Sequence, residues 1–70
     1  MKIYRYSIID YKKPQKNMPG SIVSERFICG ISELRKACPV ALNYTRNGHV
    51  WMGWDEKNRL EYFASEVGSI

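Results

Sequence analysis

The sequence predicts an α+β domain with a four- or five-stranded antiparallel sheet and one short helix packed on one face. The dipeptide Asn47-Gly48 stands between two runs of alternating β-type residues. It favours a type I′ hairpin turn, because both central residues of that turn need a positive φ. A second polar turn around Glu56-Lys57 returns the chain, so residues 42–63 are expected to form a three-stranded meander. Apolar residues recur at helical spacing in one short segment, Ser32–Cys38.

Length and composition fit a single small domain spanning residues 1–70. A chain of 70 residues buries only roughly 60% of the surface that its unfolded form exposes, so a deep active-site cavity is not expected. The hydrophobic content of 44%, with 13% aromatic residues, is too high for a disordered chain. No apolar run approaches the roughly 18 residues that span a membrane. We expect no membrane contact, no targeting segment before the first strand, and a cytoplasmic location.

The first strand is predicted over Lys2–Tyr11, where β-branched and aromatic residues suit a pleated surface. Its core face carries Tyr4, Tyr6 and Ile8, and the opposite face carries Ile3, Arg5, Ser7, Ile9 and Tyr11. Residues 12–20 contain two prolines, a glycine and three lysines, which predicts a mobile, cationic loop.

The second strand is predicted over Ser21–Cys29 and is followed by the helix. Ser32 is the expected N-cap, and Pro39 disfavours helical geometry at Cys38, so the helix is about two turns long. Such a short helix must dock on the sheet to be stable. Two alternatives remain open: a second helical turn starting at Pro39, and a helix-turn-helix made with residues 39–47, whose recognition helix would be very short.

The two predicted turns of the meander fix which residues lie opposite each other. The predicted cross-strand pairs are Tyr44 with Trp51, Leu42 with Gly53, Trp54 with Arg59, Trp51 with Tyr62, and Val50 with Phe63. Both faces of the meander are then apolar, and one short helix covers only one of them. The second face needs a cover from the first two strands, a second copy of the chain or a partner. The tail Ser65–Ile70 is expected to fray unless Val67 docks.

The apolar strip on the second face of the meander is the first candidate site. Tryptophan, tyrosine, methionine and arginine are enriched at the centres of protein interfaces. The residues predicted to bind a protein partner are Trp54, Met52, Arg59 and Phe63. The alternative is that the aromatic residues form only the core of a small domain.

Basic residues beside aromatic ones indicate a second candidate, a surface for nucleic acid. A sheet that offers rings for stacking and cations for phosphates holds single strands in several folds. The residues of this alternative are Lys12, Lys13, Lys16, Arg46 and Arg59. The net charge of +4 permits such contact without requiring it, and no RNA-recognition signature occurs.

No residue pattern predicts catalysis, a metal site or a cofactor. His49 is the only histidine, and the predicted hairpin places Arg46 opposite it instead of a nucleophile or an orienting carboxylate. Cys29 and Cys38 lack the spacing of a zinc site. We expect buried free thiols in a reducing compartment, with a disulfide between them as the alternative. The sequence therefore predicts a non-enzymatic protein.

The order of elements resembles that of small phage and mobile-element proteins, including some anti-CRISPR proteins. The matching parts are an opening strand Lys2–Ile9, a helix beginning Ser32-Glu33-Leu34, and a closing aromatic meander; no diagnostic motif is involved. The resemblance implies a chain that acts stoichiometrically by covering a site on a larger machine. Many anti-CRISPR proteins that mimic nucleic acid are acidic, whereas the charge of +4 here fits an acidic protein surface or nucleic acid itself.

Three hypotheses for function follow. In the first, the chain is a binding module that occludes a site on a larger protein or nucleoprotein complex, such as a phage-type inhibitor of a host CRISPR-like complex. In the second, it binds nucleic acid directly through the cationic loop and an aromatic sheet face. In the third, it is a homodimer with a regulatory role, paired through the second face of the meander.

Overall fold

The computed structural model describes residues 1–45 and 50–70, which form one five-stranded antiparallel sheet and one short helix. The elements are β1 (Lys2–Asp10), β2 (Ser21–Cys29), α1 (Ile31–Ala37), β3 (Asn43–Thr45), β4 (Val50–Asp55) and β5 (Leu60–Ser69). The strands lie in the order β2-β1-β5-β4-β3. The predicted α+β fold class is confirmed. The predicted turn at Asn47-Gly48 lies outside the described residues.

The core lies between α1 and one face of the sheet, which we call the helix face. Tyr4 and Tyr6 of β1 are buried there, as the alternation of the first strand predicts. The other buried apolar residues of the described chain are Ile28, Leu34, Cys38, Tyr62 and Ala64. Residues 40–42 extend the cover over β4, where a Cβ on Gly53 would lie only 2.9 Å from the carbonyl oxygen of Ala41. The opposite side of the sheet, which we call the open face, faces away from this core.

Helix α1 begins at Ile31 and is capped differently from the prediction. Its N-cap is Gly30, with φ 82° and no side-chain cap hydrogen bond, so the prediction of Ser32 as the cap was wrong. Glycine adopts a positive φ without a steric penalty, which lets the chain turn directly from β2 into the helix. The helix ends where Pro39 predicts, with Cys38 extended at φ −93°. Residues 39–45 contain no helix, which removes both the second helical turn and the helix-turn-helix.

The last strand is longer than predicted because it pairs with the central strand β1. The cross-strand pairs run from Asp10 with Leu60 to Lys2 with Ser69. The N–H of Ile70 also donates a hydrogen bond to the carbonyl of Met1 at 2.7 Å. The prediction that the tail frays was therefore wrong, since its backbone groups find partners on β1.

The pairing of β3 with β4 agrees with the prediction, whereas the pairing of β4 with β5 differs. Tyr44 lies opposite Trp51 as expected. On β5, however, each observed partner lies two residues beyond the predicted one, so that Trp51 meets Ala64 and Trp54 meets Glu61. Because side chains alternate with a period of two, this shift leaves the residues of β4 and β5 on their predicted faces, while Arg59 moves from the strand into the turn.

The register differs because the turn between β4 and β5 contains four residues, 56–59, instead of two. The Asp55 carboxylate accepts hydrogen bonds from the backbone N–H of Asn58 at 3.2 Å and from its side-chain amide at 2.8 Å. These bonds hold the pKa of Asp55 below its ordinary value. Arg59 closes the turn with φ 52°, a left-handed conformation that no proline or glycine marks in this sequence.

The hydroxyl group of Tyr6 is buried without a hydrogen-bond partner among the described residues. The ring itself is well surrounded: its centroid lies 6.3 Å from that of Tyr62 and 5.4 Å from the guanidinium carbon of Arg26. Burial raises the pKa of the Tyr6 hydroxyl, and the neighbouring Cys38 thiol raises it further. Tyr6 therefore fills the core well with its ring, while its oxygen has the weakly polar thiol of Cys38 beside it and no stronger hydrogen-bond partner among the described residues.

Replacing Tyr6 with phenylalanine is expected to keep the fold and to raise the free energy of unfolding by up to about 1 kcal/mol, because the unsatisfied hydroxyl is removed. The raised pKa also means that the native protein loses stability as pH rises above the ordinary tyrosine value of 10.0. The Tyr6→Phe variant should lose less between neutral and alkaline pH. Urea titrations at both pH values test this, with Tyr4→Phe as the control. A Tyr6→Phe protein less stable than wild type at neutral pH would contradict the expectation.

Candidate interaction surface

The open face presents alternate residues of four neighbouring strands. Its members include Glu25 and Phe27 on β2, Arg5, Ser7 and Ile9 on β1, Glu61, Phe63 and Ser65 on β5, and Val50, Met52 and Trp54 on β4. Phe27 is 68% exposed and Trp54 is 44% exposed. Helix α1 cannot shield these side chains, because it packs on the other side of the sheet.

A continuous row of side chains crosses the middle of the open face. Met52 lies opposite Phe63, Phe63 opposite Ser7, and Ser7 opposite Glu25. Met52 and Phe63 are half-buried, while the small Ser7 is buried between larger neighbours and its hydroxyl donates a hydrogen bond to Glu25 at 3.4 Å. The row is therefore apolar on the β4 side and polar on the β2 side.

The structure brings together three of the four residues predicted to bind a protein. Met52 and Trp54 follow each other on one face of β4, and Phe63 lies directly opposite Met52. Arg59 does not lie opposite Trp54 as predicted, because the longer turn places Glu61 there instead. Arg59 stands at the end of the sheet, where its carbonyl accepts a hydrogen bond from the N–H of Tyr11 at 3.1 Å.

Tyr11 also belongs to this surface. The sequence predicted its face correctly but did not indicate that it contributes to a site. Its ring centroid lies 5.6 Å from that of Trp54, with the planes tilted by 57°. The Tyr11 hydroxyl donates to Glu61 at 2.9 Å, and the indole N–H of Trp54 donates to Glu56 at 2.6 Å. The bond to Glu61 raises the pKa of Tyr11. Both ring donors are satisfied, so the rings are held in place with apolar faces available for contact.

The cationic residues of the alternative site gather at the same end of the sheet. Lys12, Lys13 and Lys16 are exposed in the loop after β1, and the bond from Tyr11 to Arg59 joins this loop to the turn after β4. Arg46 lies outside the described residues. Acidic residues stand among these cations, since Asp55 is the last residue of β4 and Glu56 is the first residue of the turn that follows. The charge at this end is therefore mixed.

The loop that carries the lysines, predicted to be mobile, has hydrogen bonds of its own. The backbones of Gln15 and Met18 exchange two bonds of 3.1 Å. The N–H of Lys12 donates to the Asp10 carboxylate at 2.9 Å, and the Ser21 hydroxyl donates to the carbonyl of Lys13. These contacts give the lysine backbones a defined path beside the Tyr11 ring.

Residues that commonly carry chemistry are dispersed in the part of the chain that the structure describes. Residues 1–45 and 50–70 contain no group of three or more histidine, cysteine and carboxylate side chains placed to hold a metal ion. Cys29 and Cys38 are free thiols, so the alternative of a disulfide between them was wrong. Cys38 is buried and Cys29 is half-buried. His49 lies outside the described residues.

Comparisons with known proteins give the chain no relative. No protein-family model matches it, and neither does any curated protein or solved structure. Over residues 1–45 and 50–70, the structure has no helix with the length and apolar character that crossing a membrane requires.

Proposed function

We propose that this protein is a non-enzymatic binding module that occludes a site on a larger protein through its open face. The observation that carries the proposal is the grouping of Met52, Trp54 and Phe63 on the face opposite the helix, with Trp54 44% exposed. A side chain that served only the core would be expected on the helix face. Tryptophan is also the residue type most often found among the few that supply most of the affinity of an interface.

The local geometry suits Trp54 to the role of anchor. Its indole N–H already donates a hydrogen bond to Glu56, and its ring packs against the ring of Tyr11. Ordering a free side chain at an interface costs about 0.5–1.5 kcal/mol, and a ring held in advance avoids much of that cost. Met52 and Phe63, which lie beside Trp54 on the same face, would extend the apolar contact.

The proposed partner has an apolar patch bordered by acidic groups. Arg59 and the three exposed lysines of the loop stand at the Trp54 end of the open face. Charges at the rim of an interface mainly increase the rate of association and the selectivity. The resemblance in element order leads to the most specific form of the proposal, a cytoplasmic phage-type inhibitor of a host CRISPR-like complex.

The test compares capture of a partner by wild type and by two single variants. Trp54→Ala is expected to weaken capture by roughly 30-fold or more, the effect of losing an anchor worth about 2 kcal/mol. Met52→Ala should weaken it less. Met18→Ala is the matched control for Met52→Ala, since Met18 is 45% exposed and belongs to the loop after β1 and not to β4. Immobilised protein is incubated with extract of the native host, with and without nuclease, and circular dichroism confirms that each variant is folded.

The result that supports the proposal is one protein complex retained after nuclease by wild type and by Met18→Ala, and lost with Trp54→Ala. Equal capture by wild type and Trp54→Ala would overturn the role of the open face. Retention of nothing by the wild-type protein would overturn the proposal itself.

Direct binding of nucleic acid is the second candidate, and one observation favours it. The structure places the Tyr11 and Trp54 rings beside the lysine loop and Arg59, which combines stacking surfaces with cations. In the same experiment, this candidate requires capture to disappear with nuclease. It also requires affinity for a single-stranded oligonucleotide to fall steeply with salt, because phosphate contacts release counterions.

A further inference from the structure

Strand β2 is a long, unpaired edge of the sheet. It contains nine residues, and all six from 22 to 27 are exposed. At the other edge, β3 has only three residues. An edge strand presents unpaired backbone N–H and C=O groups that can pair with another strand, and proteins often protect such edges with proline or very short length. Strand β2 has neither of these two protections; it does carry two charged side chains, Glu25 and Arg26, and a register shift beside Val23.

The free backbone groups of β2 can be assigned from the register. The N–H of Gly30 donates to the carbonyl of Lys2 at 2.8 Å, and hydrogen-bonded positions alternate along an antiparallel pair. Residues 28, 26 and 24 therefore direct their backbone groups toward β1. The residues that direct theirs away from the sheet are Glu25, Phe27 and Cys29. A register shift beside Val23 ends this regular stretch.

We propose that this edge pairs with β2 of a second copy of the chain, antiparallel and around a two-fold axis at Phe27. The two five-stranded sheets would then form one continuous sheet. In this register Phe27 meets Phe27 of the second copy and Glu25 meets Cys29. All the outward N–H and C=O groups of Glu25, Phe27 and Cys29 are then paired.

The charges on β2 select this register over its neighbours. A two-fold axis at Glu25 would set two carboxylates directly opposite each other, and an axis at Arg26 would oppose two guanidinium groups. Like charges directly opposite across strands are destabilising, whereas aromatic pairs are stabilising. An axis at Ile28 avoids the repulsion but leaves the outward groups of Glu25 unpaired. Of these four positions, only the axis at Phe27 avoids opposed like charges and also pairs the outward backbone groups of Glu25, Phe27 and Cys29.

The exposure of Phe27 gives the second reason for a self-complementary partner. At 68% exposed, Phe27 has the most exposed aromatic side chain among residues 1–45 and 50–70. The second copy would bring its own Phe27 against it, so each copy covers the ring of the other. This contact uses the β2 edge and not Met52, Trp54 or Phe63, and it does not depend on the proposed function.

Sedimentation velocity over a wide range of concentrations tests the dimer. Wild-type protein is expected to shift from monomer to dimer as concentration rises. Phe27→Lys, which opposes two ammonium groups at the axis, should raise the dissociation constant at least about tenfold. Val23→Lys is the matched control, since Val23 is an exposed apolar residue of the same strand beyond the paired stretch. A wild-type protein that stays monomeric throughout would overturn the proposal.

Disulfide trapping tests the register without relying on a weakened variant. In a Cys29→Ser background, Phe27→Cys places two thiols across the axis, where directly opposed Cα atoms are about 5.5 Å apart, a separation that suits a disulfide. Position 25 is also exposed and lies on the same face, but Glu25→Cys would stand opposite position 29 of the second copy. Oxidation should yield covalent dimer several-fold faster for Phe27→Cys. Equal rates for the two variants would overturn the register.

Discussion

Leu34→Ala is expected to lower the free energy of unfolding by about 2–5 kcal/mol. Leu34 is the buried residue of α1 and has no exposed surface. A helix of seven residues has little stability of its own, so it depends on its attachment to the sheet. Leu34 is the fully buried residue of that attachment, and Ile31 and Ala37 pack beside it partly buried. Domains of this size are stable by roughly 3.5–10 kcal/mol in total. The substitution should therefore unfold a measurable share of the molecules at room temperature.

Urea unfolding followed by far-ultraviolet circular dichroism measures this effect. Leu42→Ala is the matched control, because it removes the same atoms from a half-buried position that packs against the same core. We expect the loss for Leu42→Ala to be less than half of that for Leu34→Ala. Similar losses for the two variants would contradict the expectation, because Leu34 would then contribute no more to stability than a half-buried leucine of the same core.

The alternation of side chains in the strands was enough to predict most of the core. Tyr4 and Tyr6 alternate with Arg5 and Ser7 along β1, while Tyr62 and Ala64 along β5 are two positions apart and so share a face, with Phe63 between them on the other. This signal is local, because neighbouring residues of any strand point to opposite faces. It also placed Met52, Trp54 and Phe63 on one face correctly, although the predicted pairing was displaced by two residues.

Features that depend on distant partners or on one side-chain bond could not be predicted in this way. The extension of β5 to Ser69 rests on pairing with β1, at the other end of the sequence. The four-residue turn rests on Asp55 binding Asn58 and on Arg59 adopting a positive φ. Residues 56–59 of the turn include no glycine or proline that would mark its length in the sequence.

The residues of the candidate site also divide into those that local alternation predicts and those that depend on distant partners. Its apolar centre was predicted, because periodicity alone places those residues together. The role of Tyr11 was missed, because its partner Glu61 is separated from it by 50 positions along the chain. The position of Arg59 was wrong because it depended on the length of the turn. Contacts fixed by periodicity were thus predictable, whereas contacts fixed by tertiary pairing required the structure.

Gly53→Ala is expected to destabilise the protein by about 1–3 kcal/mol, as overpacking in a core does. Gly53 is buried on β4, and a Cβ there would lie 2.9 Å from the carbonyl oxygen of Ala41, 2.9 Å from a methyl group of Val40 and 3.0 Å from one of Leu42. A carbonyl oxygen of the backbone cannot turn aside as a flexible side chain does. The whole 40–42 segment must therefore move away from the sheet and uncover part of the core.

Gly68→Ala is the matched control for this substitution, since it is the same change within another strand. A Cβ at Gly68 meets no atom within 4 Å. Alanine also restricts the unfolded chain more than glycine does, which stabilises a protein by about 0.4–1 kcal/mol where the native backbone accepts it. Thermal unfolding should therefore shift the midpoint down for Gly53→Ala and leave it unchanged or raised for Gly68→Ala. If both variants shifted in the same direction, close packing of residues 40–42 on β4 would not be the reason for glycine at position 53.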